Sequence, residues 1–483
     1  MFRKFITVFL AAAVTVMPLD ARKVKGSVSS QGNPLRNVIV TDGYRFTRTS
    51  DDGSFKLNTH KDARYVFVIT PSGYTADYSS GSPQFYLPLK GNRRFRFLLQ
   101  PFGQGNDYTI FSVSDPQMQN AKHLKRFKDR PLEDLREMTA RYAGQRPTVV
   151  IALGDIAWNK LEMFDSYKEA ISGMPAPFYS VIGNHDFIQN RSGIAAGEAY
   201  EAAFGPYNYA FFLGEDLVIG VNDILFKASG LDDPGKSSNN YSEGYSQETL
   251  DFVEGLLKLI PEGTHIYLAQ HSPIRFQLME KKKDIANADR MLEILRGHKV
   301  DILSGHTHIM LTQTIGDDVV DHNAAAIGGA WWATDWCRDG TPRGYQIISS
   351  VGGEISWNWH NLDYPDSFQV RFIEKGEGPL CPGSVMANVW QADSTWTVEW
   401  YQDGEYMGEA RQVWEVSPDY KAEIMAVYKG DADKIPGYKK PQPQNHYYAA
   451  EPSPDASTAS IVVKAPDGRE WTHTFSLAGA NGD

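Results

Sequence analysis

The sequence predicts an α/β central domain that lies between two β-rich modules. Three observations predict this organisation. Apolar strands alternate with helical stretches in residues 103–362, short alternating strands separated by turn pairs fill residues 22–102, and short strand-like runs return in residues 363–483. A chain of 483 residues is long for one ordinary domain and suits two or three.

Residues 1–21, which precede these regions, are typical of a secretory signal peptide. Met1 to Lys4 form a short basic head, Phe5 to Met17 form an apolar run interrupted only by threonines, and Ala21 offers a small residue for cleavage. The alternative is the buried start of a strand or helix. The run is too short to span a bilayer, and no later stretch approaches that length. We therefore expect an exported protein, periplasmic or extracellular, without a membrane span.

Residues 22–102 predict a small β-sandwich. Runs such as Lys23–Val28 and Tyr65–Ile69 are separated by turn pairs, of which Asp42-Gly43 and Asp52-Gly53 are two. Short strands at this spacing resemble immunoglobulin-like or carboxypeptidase-regulatory-like modules. We expect an immunoglobulin-like β-sandwich here.

The remaining two regions differ in their periodicity. In residues 103–362 the helical stretches are Leu132–Tyr142, Ala195–Phe204 and Ser246–Ile260. In the C-terminal region Trp396–Trp400 has the alternation of a strand, whereas Pro441–Ser457 is rich in proline and polar residues and predicts a loop. The C-terminal region is therefore expected to be β-rich.

Charge and cysteine usage narrow the functional classes. The net charge is −11 and the longest basic run is Lys281–Lys283, so the chain lacks the positive surface of a nucleic-acid-binding protein. Only Cys337 and Cys381 are present, which excludes a disulfide framework. One bridge and two separate thiols both remain open, because sequence does not give the distance between them.

Five apolar strands of the central region each run into residue types that bind metals. In open α/β sheets a site forms outside the carboxyl ends of the strands, so these endings can converge. Glycines at positions 154, 183 and 305 allow sharp turns there. The strand ends carry Asp115 with Gln117, Asp155, Asn184-His185-Asp186, His271, and His306 with His308. Carboxylates, imidazoles and amides without a thiolate favour Mn, Fe, Zn or Mg.

Each of these residues has an ordinary explanation when taken alone. Asp115 and Asp155 could cap strand ends, His271 could be a hydrogen-bonded core histidine, and His306 and His308 could line a strand face. Their common position at strand ends argues against coincidence.

In this order, the set resembles the calcineurin-like metallophosphoesterase family. The resemblance implies a central two-layer β-sandwich flanked by helices. The flanking β regions resemble the modules of a secreted bacterial subgroup, so the similarity extends over nearly the whole mature chain.

The resemblance also implies a role for each residue around two divalent or trivalent metal ions. Asp155 would bridge the ions, and His185 would face the phosphate, with its tautomer and orientation held by Asp186. The remaining ligands would divide into one group of Asp115, Gln117 and His308 and a second group of Asn184, His271 and His306.

Gln117 departs from the family pattern, which usually has histidine at this position. A Gln carbonyl oxygen is a harder, neutral donor, which favours Mn, Mg or Fe at that site and weakens binding. Alternatively, Gln117 only orients a water.

The expected activity is hydrolysis of a small phosphorylated substrate by a metal-bridging hydroxide. A phosphomonoester is slightly favoured. The alternatives are a phosphodiesterase or pyrophosphatase of the same fold, or a binding protein whose metallophosphoesterase domain is inactive. The sequence leaves the oligomeric state open.

A segment after the last ligand motif has two interpretations. Trp331, Trp332 and Arg343 would suit a loop that closes over substrate, or aromatic packing against the C-terminal domain. Tyr207 and Tyr209 are expected to be structural. Asn323 could reach the phosphate, but no feature of the sequence places it there.

Overall fold

The computed structural model describes residues 22–227, 241–278 and 281–477. The expected signal peptide, residues 1–21, lies outside them. Among the described helices, none is both long enough and apolar enough to cross a bilayer.

The N-terminal region contains two β-sheets that share one buried core. Val28, Phe55 and Phe97 from one sheet and Val40 and Val66 from the other are buried in this core. One sheet consists of Asn33–Pro34, Lys23–Ser30, Phe95–Pro101, Tyr74–Ala76 and Ser54–Asn58, and the other of Phe46–Arg48, Ile39–Thr41, Tyr65–Val68 and Tyr86–Pro88. The expected β-rich module is present, and its immunoglobulin-like topology stays a prediction.

The central region is built on two larger sheets with parallel cores. The first contains, in order, Phe178–Ser180, Thr148–Ala152, Tyr108–Val113, Gly344–Val351 and Glu354–Asn361. The second contains Tyr209–Leu213, Asp216–Gly220, Ile266–Ala269, Val300–Ser304, Val319–Asn323 and Leu311–Gly316. Two antiparallel strand pairs are also present, Ile224–Phe226 with Tyr241–Glu243 and Arg275–Leu278 with Lys281–Asp284.

The alternation of side chains along Tyr108–Val113 explains why the two sheets pack face to face. Ile110 points into the core shared with the second sheet, whereas Phe111 points toward the helices on the outer face. The hydroxyls of Tyr108 and Tyr267 lie 3.0 Å apart and join the sheets across this core. The expected two-layer β-sandwich flanked by helices is confirmed.

The three predicted helical stretches of the central region correspond to helices. Their bounds are Glu133–Ala143, Glu198–Phe204 and Gln247–Leu257. The second starts later than expected because a 3-10 turn, Gly193–Ala196, ends at Gly197 before the helix begins. The described residues also contain the helices Ala121–Phe127, Met163–Ile171, Ala288–Ile294 and, in the C-terminal region, Pro418–Val427, together with the π-helical turn Lys128–Leu132 and the 3-10 turn Asn184–Asp186.

The C-terminal region contains two four-stranded sheets around a third core, as expected for a β-rich region. One contains Val370–Ile373, Val385–Val389, Gln444–Ala450 and Arg411–Glu415, and the other Glu405–Glu409, Thr397–Gln402, Thr458–Lys464 and Glu470–Ser476. Single-turn 3-10 helices occur at Ala432–Lys434 and Gly437–Lys439.

The prediction that Pro441–Ser457 is a loop is wrong. Its middle forms the strand Gln444–Ala450, which pairs with Val385–Val389 on one side and Arg411–Glu415 on the other. The prolines lie before and after this strand, where a missing N–H costs no ladder hydrogen bond.

The C-terminal region is fastened to the segment that follows the last ligand motif. The Asn388 amide and the Tyr447 hydroxyl donate to the Asp339 carbonyl oxygen at 2.9 and 2.7 Å, and Trp390 Nε1 donates to the Gly340 carbonyl oxygen at 3.1 Å. Cys337 in this segment is a buried free thiol, and Cys381 is also free. The structure therefore contains two separate thiols.

Candidate metal centre

The seven expected ligands converge at the carboxyl ends of the strands from both central sheets. Asp115, Asp155 and Asn184 follow strands of the first sheet, whereas His271 and the pair at 306 and 308 follow strands of the second. Within this cluster, nitrogen and carboxylate atoms of Asp155, His271 and His306 lie within 4.8 Å of one another. The two-layer packing thus brings together residues that are distant in sequence.

The expected first ligand group lies on one side of Asp155. Nε2 of His308 is 3.3 Å from Oδ1 of Asp115, and Nε2 of Gln117 donates to Oδ2 of Asp155 at 3.0 Å. Backbone N–H of His306 and the Ser114 hydroxyl donate to the other Asp115 oxygen, Oδ2. Asp115 Oδ1, Gln117 Oε1 and His308 Nδ1 are buried without a hydrogen-bond partner.

The second group lies on the other side of Asp155. Nε2 of His271 is 3.4 Å from Oδ1 of Asp155, 3.0 Å from Oδ1 of Asn184 and 3.1 Å from Nδ1 of His306. Nδ1 of His271 lies 2.7 Å from the Leu153 carbonyl oxygen, which only accepts hydrogen bonds. Nδ1 therefore carries a proton, which leaves Nε2 as the nitrogen that would bind a metal ion at the centre of the group.

These residues fit two metal ions. A buried carboxylate oxygen and a buried amide oxygen without hydrogen-bond partners are expensive unless a cation compensates them. Asp155 turns one oxygen toward each ligand group. The donors are oxygen and imidazole nitrogen, which suit Mn, Fe, Zn or Mg.

Strained backbone conformations are concentrated at the same residues. Five of the seven ligands have φ between 44° and 70°, in the left-handed region that non-glycine residues rarely adopt. They are Asp115, Gln117, Asp155, His306 and His308. Because such conformations persist only where surrounding structure imposes them, this concentration marks a functional site.

Two glycines leave the space that the ligands need. A Cβ added to Gly183 would overlap Asp155, and one added to Gly305 would overlap Ser114 and Asp115. These glycines were expected to allow sharp turns, and the structure shows that they also leave room for the neighbouring carboxylates.

His185 faces the centre, as expected, and its Nε2 lies 3.9 Å from Oδ2 of Asp155. Burial lowers the pKa of His185, Asp155 opposes this shift, and the neighbouring histidines reinforce it. A neutral imidazole is therefore favoured at this position.

The prediction that Asp186 orients His185 is wrong. Both Asp186 oxygens accept backbone N–H groups, from Ile156, Ala157 and Gly183, at 2.9 to 3.1 Å. Asp186 therefore supports the Asp155 loop, and it is Asn159 whose Oδ1 lies 3.0 Å from Nδ1 of His185. The adjacency of His185 and Asp186 in sequence gave no information about side-chain direction.

Sequence reasoning missed two further supporting residues. Asp223 is fully buried and accepts the N–H groups of His271 and Ser272 at 3.1 and 2.7 Å. Glu243 Oε1 lies 3.7 Å from Nε2 of His306. Asp223 follows the strand Asp216–Gly220, so the strand-end pattern could have indicated it, whereas no local signal marks Glu243.

A cavity of ≈ 270 Å³ opens over the ligand cluster. Besides several ligands and His185, its lining contains Asn159, Gln189 and five aromatic residues. The aromatic residues are Trp158, Phe226, Tyr241, Trp331 and Tyr438.

The expected packing of the segment after the last ligand motif against the C-terminal region is confirmed, whereas its closure over substrate stays a prediction. Trp331 lines the cavity and also packs against Tyr438 of the C-terminal region. Trp332 is buried, and Arg343 lies outside the cavity lining in ion pairs with Asp335 and Asp363. Only Trp331 is therefore placed to touch a substrate.

The remaining candidates have structural contacts. Asn323 is buried and bonds to the Thr307 hydroxyl and the Gly305 carbonyl oxygen, so it shapes the ligand loop from behind. Tyr207 accepts from Arg64 at 2.7 Å, and Tyr209 stacks on Tyr179.

Three models of one protein family match successive parts of the chain. The N terminal of calcineurin-like phosphoesterase matches residues 22–101, calcineurin-like phosphoesterase itself matches residues 108–310, and its C terminal matches residues 321–473. This chain belongs to the calcineurin-like phosphoesterase family. The family that the strand-end motifs resemble is thereby confirmed.

Two curated relatives are similar over part of the chain. A probable glycerophosphodiester phosphodiesterase of Arcobacter nitrofigilis is 26% identical over 38% of this chain and 63% of the relative. A probable cyclic nucleotide phosphodiesterase of Rhodopseudomonas palustris is 26% identical over 37% of this chain and 64% of the relative. In each case the match spans less than two thirds of the relative's length.

Among solved structures, a dimetal phosphatase from Danio rerio is 14% identical, with a TM-score of 0.36. The alignment covers 53% of this chain and 96% of that chain.

Proposed function

We propose that this protein hydrolyses a phosphate ester with the help of two metal ions. The observation that carries the proposal is the position of Asp155 between two ligand groups, with one carboxylate oxygen directed at each. When bound, such ions activate water and neutralise charge on the phosphate oxygens.

The chain's own residues would position the substrate and move a proton. His185 lies over the ligand cluster, and the contact with Asn159 leaves Nε2 as the nitrogen that faces the cavity. Proton transfer at this atom, to or from the ester, contributes typically about 10²- to 10⁴-fold in such reactions. Asp186 and Asp223 hold the ligand loops through backbone N–H groups.

Two observations favour a diester over the monoester expected from sequence. The cavity lining within the described ranges contains no Lys or Arg, so no cationic side chain there would add to the metal ions in neutralising a second phosphate charge. Both curated relatives carry phosphodiesterase names. We therefore propose a small phosphodiester as the preferred substrate.

The test compares bis-p-nitrophenyl phosphate with p-nitrophenyl phosphate, using full-length mature protein with added Mn, Mg, Fe or Zn. We expect metal-dependent turnover that favours the diester and falls about 10²- to 10⁴-fold in His185→Ala. Preference for the monoester would overturn the diester assignment alone. Metal binding without turnover on a wider ester panel would favour the inactive binding protein instead.

Export remains part of the proposal and rests on the basic head and apolar run of residues 1–21. Mass spectrometry of the protein from its native cell envelope tests it. A chain that begins near residue 22 supports export, whereas an intact N-terminus in the cytoplasm contradicts it.

A further inference from the structure

One wall of the cavity is a continuous cluster of three aromatic side chains, which we call the aromatic wall: Trp158, Trp331 and Tyr438. The ring centroids of Trp331 and Tyr438 are 5.0 Å apart, those of Trp158 and Tyr438 are 5.9 Å apart, and those of the two tryptophans are 6.4 Å apart. All three residues line the cavity. Tyr438 is 48% exposed even though it belongs to this cluster.

The aromatic wall adjoins the residues that would act on the phosphate. Trp331 stacks on His308, with ring centroids 4.4 Å apart and an interplanar angle of 25°. The ring of Trp158 lies 5.2 Å from that of His185. A group attached to a phosphate above the ligand cluster therefore meets these aromatic rings.

The charge of the cavity lining restricts which chemical group can be attached to the phosphate. Within the described ranges, the only ionisable residue of the lining besides histidines and tyrosines is Asp155. A second anionic group would find no lysine or arginine in this lining, because Lys439, 5.8 Å from the Tyr438 ring, and Arg338, 5.5 Å from the Trp331 ring, lie outside it. A small polyol would leave the aromatic faces unused. An uncharged ring has the matching shape and polarity, because aromatic faces stack on planar rings.

A half-buried arginine of the segment after the last ligand motif, Arg338, holds Tyr438 at the cavity. Arg338 donates to the carbonyl oxygens of Thr307 at 3.0 Å and Tyr438 at 3.3 Å, and its guanidinium lies 5.5 Å from the Trp331 ring. The Tyr420 hydroxyl donates to the Lys439 carbonyl oxygen at 2.6 Å. One side chain thus connects the ligand loop and two members of the aromatic wall, so the position of Tyr438 is set before substrate binds.

We propose that the aromatic wall binds a planar, uncharged ring on the substrate, and that Tyr438 is a specificity-determining residue contributed by the C-terminal region. This inference deepens the proposed function and rests on it. It assigns the substrate class as phosphate esters whose alcohol carries an aromatic or heteroaromatic ring close to the ester oxygen.

Binding of phosphonates tests the inference without requiring turnover. The ligands are 2-phenylethylphosphonate, 2-cyclohexylethylphosphonate and n-propylphosphonate, each also as its monomethyl ester, and calorimetry measures their Kd on full-length protein loaded with Mn²⁺. We expect the phenyl compound to bind about 10-fold more tightly than the propyl and cyclohexyl compounds.

Substitutions test whether Tyr438 causes the preference for the phenyl compound. Tyr438→Ala should remove most of the phenyl preference, and Tyr438→Phe should retain it because the ring remains. Tyr406→Ala is the matched control, since Tyr406 is another exposed tyrosine of the C-terminal region, at 58%, and lies outside the cavity lining. Equal loss in the Tyr406 and Tyr438 variants would overturn the assignment.

The outcomes separate this inference from the proposed function. A phenyl preference without hydrolysis of any ester supports the aromatic wall and overturns the hydrolase. Hydrolysis with equal binding of all three phosphonates overturns the aromatic wall alone. Failure to bind any of them overturns it as well.

Discussion

Oδ1 of Asn159 lies 3.0 Å from Nδ1 of His185, on a loop that begins with Asp155. The backbone N–H of Asn159 also donates to the His185 carbonyl oxygen at 3.1 Å. Asn159 therefore forms hydrogen bonds with both the ring and the main chain of His185, and it determines which imidazole nitrogen faces the cavity.

Removing the Asn159 side chain should reduce kcat more than it changes KM. Asn159 has φ of 55°, so Asn159→Gly deletes the amide without adding backbone strain. We expect kcat to fall about 10- to 100-fold, as for other residues that orient a functional imidazole. Steady-state kinetics measure the effect, and metal content by mass spectrometry should stay at the wild-type value. Unchanged kcat would show that His185 needs no such partner.

Gln117 is expected to bind one of the two ions through its unpartnered Oε1. Gln117→Leu should weaken binding of one ion about 10- to 100-fold and leave the other unchanged, whereas Gln117→His should tighten it. Calorimetric metal titration resolves the two events. Gln189→Leu is the control, because Gln189 lines the same cavity and donates to the Phe187 carbonyl oxygen. Two unchanged affinities in Gln117→Leu would mean that Gln117 only orients a water.

Gly183 tests the steric requirement of the centre. Its φ is not positive, so Gly183→Ala adds no backbone strain but places a methyl group against Asp155. We expect metal affinity to fall at both positions, since Asp155 faces both ligand groups. Gly144→Ala is the control, because the nearest atom to its added Cβ is 3.6 Å away. Normal metal binding in Gly183→Ala would show that the loop relaxes without cost.

A half-buried histidine away from the centre, His265, should make stability depend on pH. Nε2 of His265 lies 2.8 Å from Asp301, and Nδ1 lies 3.3 Å from Asp216. Burial opposes protonation, but hydrogen bonds and charge interactions with both carboxylates outweigh it and raise the pKa of His265 to about 9. Because the folded pKa exceeds the unfolded value of about 6.5, this stabilisation is complete below pH 6.5 and is lost as pH rises through 9.

Urea unfolding at pH 6 and at pH 9.5 measures this dependence. The His265 contribution to the free energy of unfolding should fall by about 1–3 kcal/mol between these values. His265→Gln should flatten the dependence, whereas His473→Gln, at a side chain that is 42% exposed, should leave it unchanged. An equal slope in wild type and His265→Gln would contradict the prediction.

Local sequence predicted the position of a candidate site residue where that residue directly follows a strand. Asp115, Asp155 and Asn184 were found because each follows an apolar strand, and a strand end fixes position relative to a sheet edge. The role that the resemblance implied for Asp186 was wrong, since adjacency to His185 in sequence does not determine where a side chain points. The Asn159 contact depends on a left-handed backbone that no composition signal marked.

The strand Gln444–Ala450 shows that local sequence also fails to predict some elements of the fold. Its flanking prolines and polar residues predict a loop, and its own pattern is short. Pairing with a strand on each side supplies the hydrogen bonds that make it a strand.

By itself, the sequence determined the types and order of the candidate ligands and the α/β region with β-rich flanks, because these follow from periodicity and strand-end chemistry. Tertiary structure alone decided that Asn159 orients His185 and that Tyr438 reaches a cavity built around Asp155. The physical reason is separation along the chain. Tyr438 is brought to Trp158 and Trp331 by the packing of the C-terminal region and by Arg338, and contacts between such distant residues leave no periodic signal in either segment.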